Sequence, residues 1–127
     1  MDTSPPFVAI VDDEEAVRRA LLRLMRSVGV PARAYASGAA FLADLATYRP
    51  RCAVLDLHMP GMSGLAVQAS LAALAPEVGV IIMTGQHSAE VEAEAQPHAP
   101  LAYLLKPMND QLLLDALASA CAAWRQP

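Results

Sequence analysis

The chain has few of the residues that would indicate a secreted, membrane-spanning or nucleic-acid-binding protein. Its 127 residues include two cysteines and one lysine, Lys106, and its formal net charge is −4. No segment reaches the roughly 18 uninterrupted apolar residues of a membrane span, and the N-terminus lacks the features of a signal peptide. The excess of acids argues against direct binding of nucleic acid. Cys52 and Cys121 lie in apolar runs and are interpreted as reduced structural thiols of a cytoplasmic protein.

Short apolar runs alternate with helical patterns along the sequence. The runs that have the length of buried strands are 7–11, 32–36, 52–55, 79–83 and 101–105. Helices are predicted at 14–28, from Ser37, at 65–74, at 88–95 and from Asn109. Continuous apolar strands indicate a sheet that is covered on both faces. The order therefore predicts an α/β fold with a doubly wound five-stranded parallel sheet and five helices.

The first predicted helix is amphipathic. Apolar residues fall on one face at spacings of four, three and four, and they are Val17, Leu21, Leu24 and Val28. Arg18, Arg19 and Arg23 lie elsewhere on the helix, and we interpret them as a solvated face.

Polar residues follow four of the five predicted strands. The acidic run 12–15 follows the first strand, Asp56 the third, Thr84 the fourth and Lys106 the fifth. Each has an ordinary explanation, because acids favour helix starts and the others suit turns, caps or solvated strand ends. However, the carboxyl ends of parallel strands meet at one edge of a sheet, where ligands commonly bind. The coincidence of carboxylates, a hydroxyl and an ammonium at one edge therefore favours a shared site.

The chemistry of such a site is coherent. Crowded carboxylates require a cation, and hard oxygen ligands suit Mg²⁺, which binds one or two carboxylates together with a phosphate. A carboxylate beside the metal can attack phosphorus to form an acyl phosphate. The metal and a lysine would offset charge on the transferred oxygens, and a threonine hydroxyl could donate a hydrogen bond to them.

These residues resemble the receiver domain of two-component response regulators. The matching segments are 10–15, 56–64, 83–85 and 103–107, and the second is most similar to the FixJ-like subgroup. The resemblance covers about residues 7–122. It implies a flavodoxin-like (βα)5 receiver fold, with one receiver domain over 1–127, a core of about 7–124 and no output domain in this chain.

The resemblance also implies a role for each motif residue. Asp56 would be the phosphoacceptor. Mg²⁺, with Mn²⁺ as a substitute, would be held by Asp12, Asp13, Asp56 and the backbone carbonyl of His58. Thr84 and Lys106 would contact the phosphoryl group, Tyr103 would turn inward in the phosphorylated state, and the bond from Lys106 to Pro107 would be cis.

As implied by the resemblance, the phosphoryl group would come from a sensor histidine kinase or a phosphotransfer protein, and the switched domain would control an output. The first helix would help to dock the kinase, and a homodimer is a further expected assembly. The domain would not be an enzyme beyond its own phosphotransfer and autodephosphorylation. One stretch departs from the family pattern, because Pro97 and Pro100 are expected to end the fourth helix by about Ala95 or Gln96.

Three other functions match parts of the same pattern. A magnesium phosphatase with an aspartyl phosphate commonly has a second Asp two residues after the nucleophile, where this chain has His58. A flavin-binding domain of similar topology needs a phosphate-binding loop after the first strand, where this chain has four acids. The alternative kept open is a phosphorylation-independent, receiver-like protein-interaction module, which predicts loss of the acidic pair, the acceptor or the lysine, whereas this chain has all of them.

Overall fold

The computed structural model describes residues 6–85, 93, 100, 102–106 and 109–120. In this part of the chain the strands are β1 (Val8–Val11), β2 (Ala32–Tyr35), β3 (Cys52–Asp56), β4 (Gly79–Thr84) and β5 (Ala102–Leu105). The helices are α1 (Glu15–Ser27), α2 (Gly38–Asp44), α3 (Gly64–Leu74) and α4 (Asp110–Ala120). The strand bounds agree with the apolar runs of the sequence to within one residue at each end.

The five strands form one parallel sheet in the order β2-β1-β3-β4-β5. The register aligns the strand ends closely, since Val11 pairs with both Tyr35 and Leu55, and Asp56 pairs with Met83. The predicted α/β fold with a five-stranded parallel sheet is therefore confirmed. All carboxyl ends leave the sheet at one edge, which is the condition for a shared site.

Alternate residues of the strands feed two hydrophobic cores, one on each face of the sheet. One core joins the sheet to α1 and α4 and includes Val8, Ile10, Val54, Leu21, Met25, Leu113 and Leu117. The other joins it to α2 and α3 and includes Ala9, Val11, Leu55, Phe41, Val67 and Leu71. Burial on both faces explains why β1 and β3 are apolar at every position from Val8 to Val11 and from Cys52 to Leu55.

The buried face of α1 differs from the predicted one in its last turn. Leu21 is buried as expected, but Met25 is the next buried residue, and Val28 is 46% exposed. The helix ends at Ser27, and Val28 is its C-cap with φ −106° and ψ 8°. The placement of Val28 on the inner face was wrong because the helical period does not continue past the cap.

Side chains cap the N-termini of three helices. The Ser37 hydroxyl accepts a hydrogen bond from the Ala40 N–H at 3.1 Å, as predicted for α2. The Ser63 hydroxyl caps α3 in the same way through Ala66 at 3.2 Å. Asn109 Oδ1 accepts from the backbone of Gln111 and Leu112 at 2.8 and 3.2 Å, which confirms the predicted start of α4. Such caps replace hydrogen bonds that the first helical turn cannot make internally.

Gly64, the first residue of α3, lies directly against the backbone at the end of β3. Its N–H donates to the Leu57 carbonyl at 3.0 Å. A Cβ at this position would lie 2.5 Å from the Asp56 carbonyl oxygen and 2.9 Å from the Leu57 Cα. Only a residue without a side chain permits this approach, so Gly64 fixes the distance between α3 and the strand that carries Asp56.

Several expectations lie outside the described residues. They are the fourth predicted helix apart from Ala93, the Lys106–Pro107 peptide bond, the Pro97 region and Cys121. Cys52 is fully buried in β3, in agreement with a structural thiol. None of the helices in the described part of the chain combines the length and the apolar character that crossing a bilayer requires.

Candidate functional site

The predicted convergence of the strand ends is observed. Asp12 directly follows β1, Asp56 and Thr84 are the last residues of β3 and β4, and Lys106 directly follows β5. Asp12 and Thr84 are fully buried, and Asp56 is 3% exposed. Burial of two carboxylates at neighbouring strand ends is costly unless charged or polar partners compensate it. The contacts of Lys106 supply that compensation.

The Lys106 ammonium lies among three carboxylates. Its Nζ donates to Asp12 Oδ2 at 2.8 Å and lies 3.3 Å from Asp56 Oδ1 and 3.7 Å from Glu14 Oε1. The Lys106 N–H also donates to the Thr84 carbonyl at 2.7 Å, which ties the lysine to the end of β4. Residues 94 positions apart in the sequence are thus joined by one short ion pair.

The acidic residues form a compact cluster at the mouth of the site. One carboxylate oxygen from each of Asp12, Asp13, Glu14 and Asp56 lies within 4.8 Å of the others. Asp13 and Glu14 are exposed, whereas Asp12 and Asp56 are buried. Glu14 was not among the metal ligands implied by the resemblance, although it belongs to the acidic run that was singled out. Its place in the cluster depends on the turn into α1, which the residue pattern alone does not define.

The backbone and side chain of Asp12 are held at four points. The Asp12 N–H donates to the Tyr35 carbonyl at 3.1 Å, and Oδ1 accepts from the Glu14 N–H at 2.9 Å. The Asp12 carbonyl accepts from Arg18 Nη1 at 2.8 Å, and Oδ2 accepts from Lys106. Arg18 is half-buried, so its interpretation as part of a solvated face was wrong. Arg19 and Arg23 are exposed, as expected, and Arg19 pairs with Glu15 on the helix surface.

The protonated form of the Asp56 carboxyl is more favoured in the folded protein than it would be in water. Burial raises the pKa of the Asp56 carboxyl above 3.8, and the neighbouring Asp12 carboxylate raises it further. The Lys106 ammonium and a backbone hydrogen bond from His58 act in the opposite direction. The imidazole of His58 is exposed, so it is the backbone of this residue that faces the site.

The pKa of Lys106 reflects the same balance with the opposite sign. Burial lowers it, but the hydrogen bond and charge of Asp12, together with the charge of Asp56, outweigh burial and raise the pKa above 10.5. The ammonium is therefore charged throughout the physiological pH range. Even so, four clustered carboxylates face one ammonium, and negative charge is left uncompensated within the cluster.

Removal of the Asp56 charge is expected to stabilise the metal-free protein. Because the pKa of Asp56 is raised in the folded state, the stability that its proton provides is lost as pH rises through that pKa. In EDTA at pH 7, Asp56→Asn should raise Tm by about 3–6 °C, the scale that 1 kcal/mol produces in a domain of this size. Thermal denaturation at pH 7 and pH 4 measures the effect.

The pH dependence of this gain distinguishes charge from packing. As pH falls through the raised pKa of Asp56, the carboxylate takes up its proton, so the gain should shrink towards zero. Asp115→Asn on the exposed surface of α4 serves as the control, and its Tm should match that of the wild type at both pH values. An equal gain for Asp56→Asn at both pH values would contradict the electrostatic explanation.

Thr84 and Tyr103 occupy neighbouring strands at this edge. In the β4–β5 register, Ile82 pairs with Tyr103 and Thr84 pairs with Leu105. Tyr103 is partly buried and packs against the core on the α2–α3 face. A displacement of Thr84 would therefore act on its partner Leu105 in β5, which lies two residues from Tyr103.

The family model of the response regulator receiver domain matches residues 8–118 of the chain. Among curated proteins, the response regulator protein TmoT of Ectopseudomonas mendocina is 34% identical over 120 residues, which cover 94% of this chain and 54% of TmoT. The transcriptional regulatory protein FixJ of Azorhizobium caulinodans is 34% identical over 113 residues, covering 89% of this chain and 54% of FixJ. The chain spans about half the length of these curated relatives.

Solved structures show the same likeness over nearly their whole length. A response regulator receiver protein from Burkholderia phymatum has 42% identity and a TM-score of 0.82, with 93% of this chain and 96% of that chain covered. The crystal structure of FixJ-N has 31% identity and a TM-score of 0.84, with 94% and 96% covered.

Proposed function

Because the chain belongs to the response regulator receiver family, we propose that it accepts a phosphoryl group on the Asp56 carboxylate and thereby switches conformation. The observation that carries this proposal is the position of Lys106 Nζ, 2.8 Å from Asp12 and 3.3 Å from Asp56. A buried carboxylate beside a fixed ammonium and a cluster of further acids is the arrangement that aspartyl phosphate chemistry requires.

In the proposed reaction an Asp56 carboxylate oxygen attacks the phosphorus of the donor. A P–O bond to Asp56 forms, while the P–N bond of a phosphohistidine, or the P–O bond of acetyl phosphate, breaks and its electron pair leaves with the donor. Lys106 offsets charge on the transferred oxygens. The buried hydroxyl of Thr84, at the end of the adjacent strand, donates to the phosphoryl group once that group is in place.

The acidic cluster fits a divalent metal ion. Four carboxylate oxygens within 4.8 Å of one another form a hard donor set whose charge one lysine does not balance. We assign Mg²⁺ to Asp12, Asp13 and Asp56 with the backbone carbonyl of His58, and Mn²⁺ as a substitute. When bound, the metal supplies positive charge to the phosphoryl oxygens. Glu14 is close enough to the cluster to add to its attraction for the cation.

The proposed switch uses the β4–β5 pair. Phosphorylation adds a charge of about −1.5 to −2 and strong acceptor oxygens beside Thr84 and Lys106. Movement of Thr84 towards these oxygens would free space near Tyr103, which turns further inward. The domain would receive its phosphoryl group from a sensor histidine kinase or a phosphotransfer protein. Since the curated relatives are about twice as long as this chain, the switch is proposed to act on an output domain.

Intact mass spectrometry tests the chemistry directly. Incubation with acetyl phosphate and Mg²⁺ should add one phosphoryl group to the wild type and to the surface control Asp115→Asn. Asp56→Asn should gain none, and EDTA should abolish the gain in every variant. A folded wild type that gains no mass from acetyl phosphate or from a cognate kinase would overturn the proposal in favour of a phosphorylation-independent interaction module.

A further inference from the structure

Of the four carboxylates in the cluster, Asp13 is the one that only its backbone restrains within the described residues. Its side chain is exposed, and within the described ranges no side chain or backbone donor binds its carboxylate. Asp12, by contrast, is held through Oδ1 by the Glu14 N–H and through Oδ2 by Lys106. Whatever orients the peptide between Asp12 and Asp13 therefore limits where the Asp13 carboxylate can lie.

Arg18 holds that peptide. Arg18 is the fourth residue of α1, and its Nη1 donates to the Asp12 carbonyl oxygen at 2.8 Å. Because the peptide unit is planar, a hydrogen bond to its carbonyl oxygen restricts the orientation of the whole unit. That unit includes the N and Cα atoms of Asp13, so its orientation limits the positions that the Asp13 side chain can reach. The hydrogen bond is charge-assisted and partly shielded from water, which strengthens it.

We infer that Arg18 is a positioning residue for the divalent cation, which it serves by orienting the Asp12–Asp13 peptide so that the Asp13 carboxylate points into the acidic cluster. This inference rests on the proposed function, because it assumes that Asp13 is a ligand. It assigns no contact between Arg18 and the cation. It gives a specific task to a residue of α1 that the residue pattern placed on a solvated face.

The positioning role of Arg18 and its positive charge predict opposite changes in cation affinity when the residue is replaced, which allows a decisive test. The Arg18 guanidinium carries positive charge near an acidic cluster, so its removal by itself would strengthen cation binding. For a partly exposed charge this effect is small, because solvent and salt screen it. Loss of a residue that orients a metal ligand typically weakens metal affinity by about 10–100-fold. The loss of orientation should therefore outweigh the loss of the Arg18 charge, and the affinity for the divalent cation should fall.

The experiment is a Mn²⁺ titration of the unphosphorylated protein, followed by electron paramagnetic resonance of the free ion. Arg18→Met retains the side-chain stem but has no donor, and we expect its dissociation constant to rise by about tenfold or more. Arg18→Lys retains a donor and the charge, and its dissociation constant should stay within about threefold of the wild type. Arg19→Met, which removes a surface pair with Glu15 on the same helix, should bind like the wild type.

The outcomes separate this inference from the proposed function. If the wild type binds no Mn²⁺, the metal site itself is refuted. If the wild type binds but Arg18→Met binds equally or more tightly while folded, the positioning role is refuted and the site stands. Arg18→Gln, which is uncharged and too short to span the same distance, provides a second variant with the same expected loss should Arg18→Met fail to fold. At saturating Mn²⁺, the rate of phosphoryl uptake by Arg18→Met should recover towards the wild-type rate.

Discussion

Replacement of Lys106 by Met is expected to lower the free energy of unfolding at pH 7 by about 2–4 kcal/mol in EDTA. The ammonium lies 2.8 Å from the fully buried Asp12 carboxylate and 3.3 Å from Asp56. Without it, two buried carboxylates face each other with no cation between them. The expected loss in the free energy of unfolding is smaller than the largest losses for buried ion pairs, because the Lys106 side chain is 18% exposed. Urea denaturation measures the change.

The pH dependence of the Lys106→Met loss has a definite sign. The pKa of Lys106 is raised in the folded state, so the stability it provides is complete below pH 10.5 and is lost as pH rises through the folded pKa. In the variant, protonation of Asp56 as pH falls should relieve part of the loss. Magnesium chloride should also recover part of it, whereas sodium chloride of equal ionic strength should not.

The same variant should slow phosphoryl uptake from acetyl phosphate by about 10²–10³-fold at saturating Mg²⁺, the usual cost of removing one group that stabilises developing oxygen charge. Arg49→Met is the matched control, because it breaks a 2.8 Å ion pair with Glu77 that lies on the surface. Surface pairs contribute about 0–1 kcal/mol, so this control should be near wild type in stability and rate. A Lys106→Met protein as stable as the control would refute the buried ion-pair argument.

Replacement of Gly64 by Ala is expected to destabilise the fold by about 2–3 kcal/mol. The added Cβ would lie 2.5 Å from the Asp56 carbonyl oxygen and 2.9 Å from the Leu57 Cα, and neither backbone atom can rotate away. Either α3 must shift outward or the end of β3 must yield. Alanine favours helices over glycine by about 1 kcal/mol, but that gain is smaller than the cost of the clash.

Because the clash falls on the backbone of Asp56, Gly64→Ala should also slow phosphoryl uptake by about tenfold or more, since small displacements of a reacting group have large effects on rate. Gly85→Ala is the steric control for stability, because a Cβ there meets nothing within 4 Å. Thermal and urea denaturation of the two variants make the comparison. Equal stability of both would show that α3 accommodates the methyl group without cost.

The sequence was sufficient for the fold and for the gathering of the strand ends, because both follow from apolar runs and from the parallel order of the strands. The sequence did not predict the individual contacts within the site. Arg18 resembles Arg19 in any residue pattern, yet only Arg18 donates to the Asp12 carbonyl, because Arg18 lies half-buried on α1 whereas Arg19 is exposed. In the sequence Gly64 is one turn residue among several. A glycine is required there because the backbone of Asp56 and Leu57, eight and seven positions earlier, leaves no room for a Cβ.

The differences between the predictions and the structure have equally local causes. The period of α1 was extended one turn too far, because the pattern does not reveal that Val28 forms the cap and that Met25 fills the inner face. Glu14 was left out of the ligand set because its carboxylate reaches the cluster only through the turn that follows β1. Both depend on how the backbone bends at an element boundary, which propensity and periodicity define least well.

Lys106 is the only lysine in the chain, and its ammonium lies among the Asp12, Asp56 and Glu14 carboxylates. The protein therefore carries an intrinsic reporter at its proposed reaction centre. Reagents for primary amines have a single side-chain target, and their rate of modification measures how firmly the carboxylates hold the ammonium. Protein labelled with ¹⁵N-lysine would give one side-chain ammonium signal, and every change in that signal on adding a metal ion or a phosphoryl donor would originate in the site.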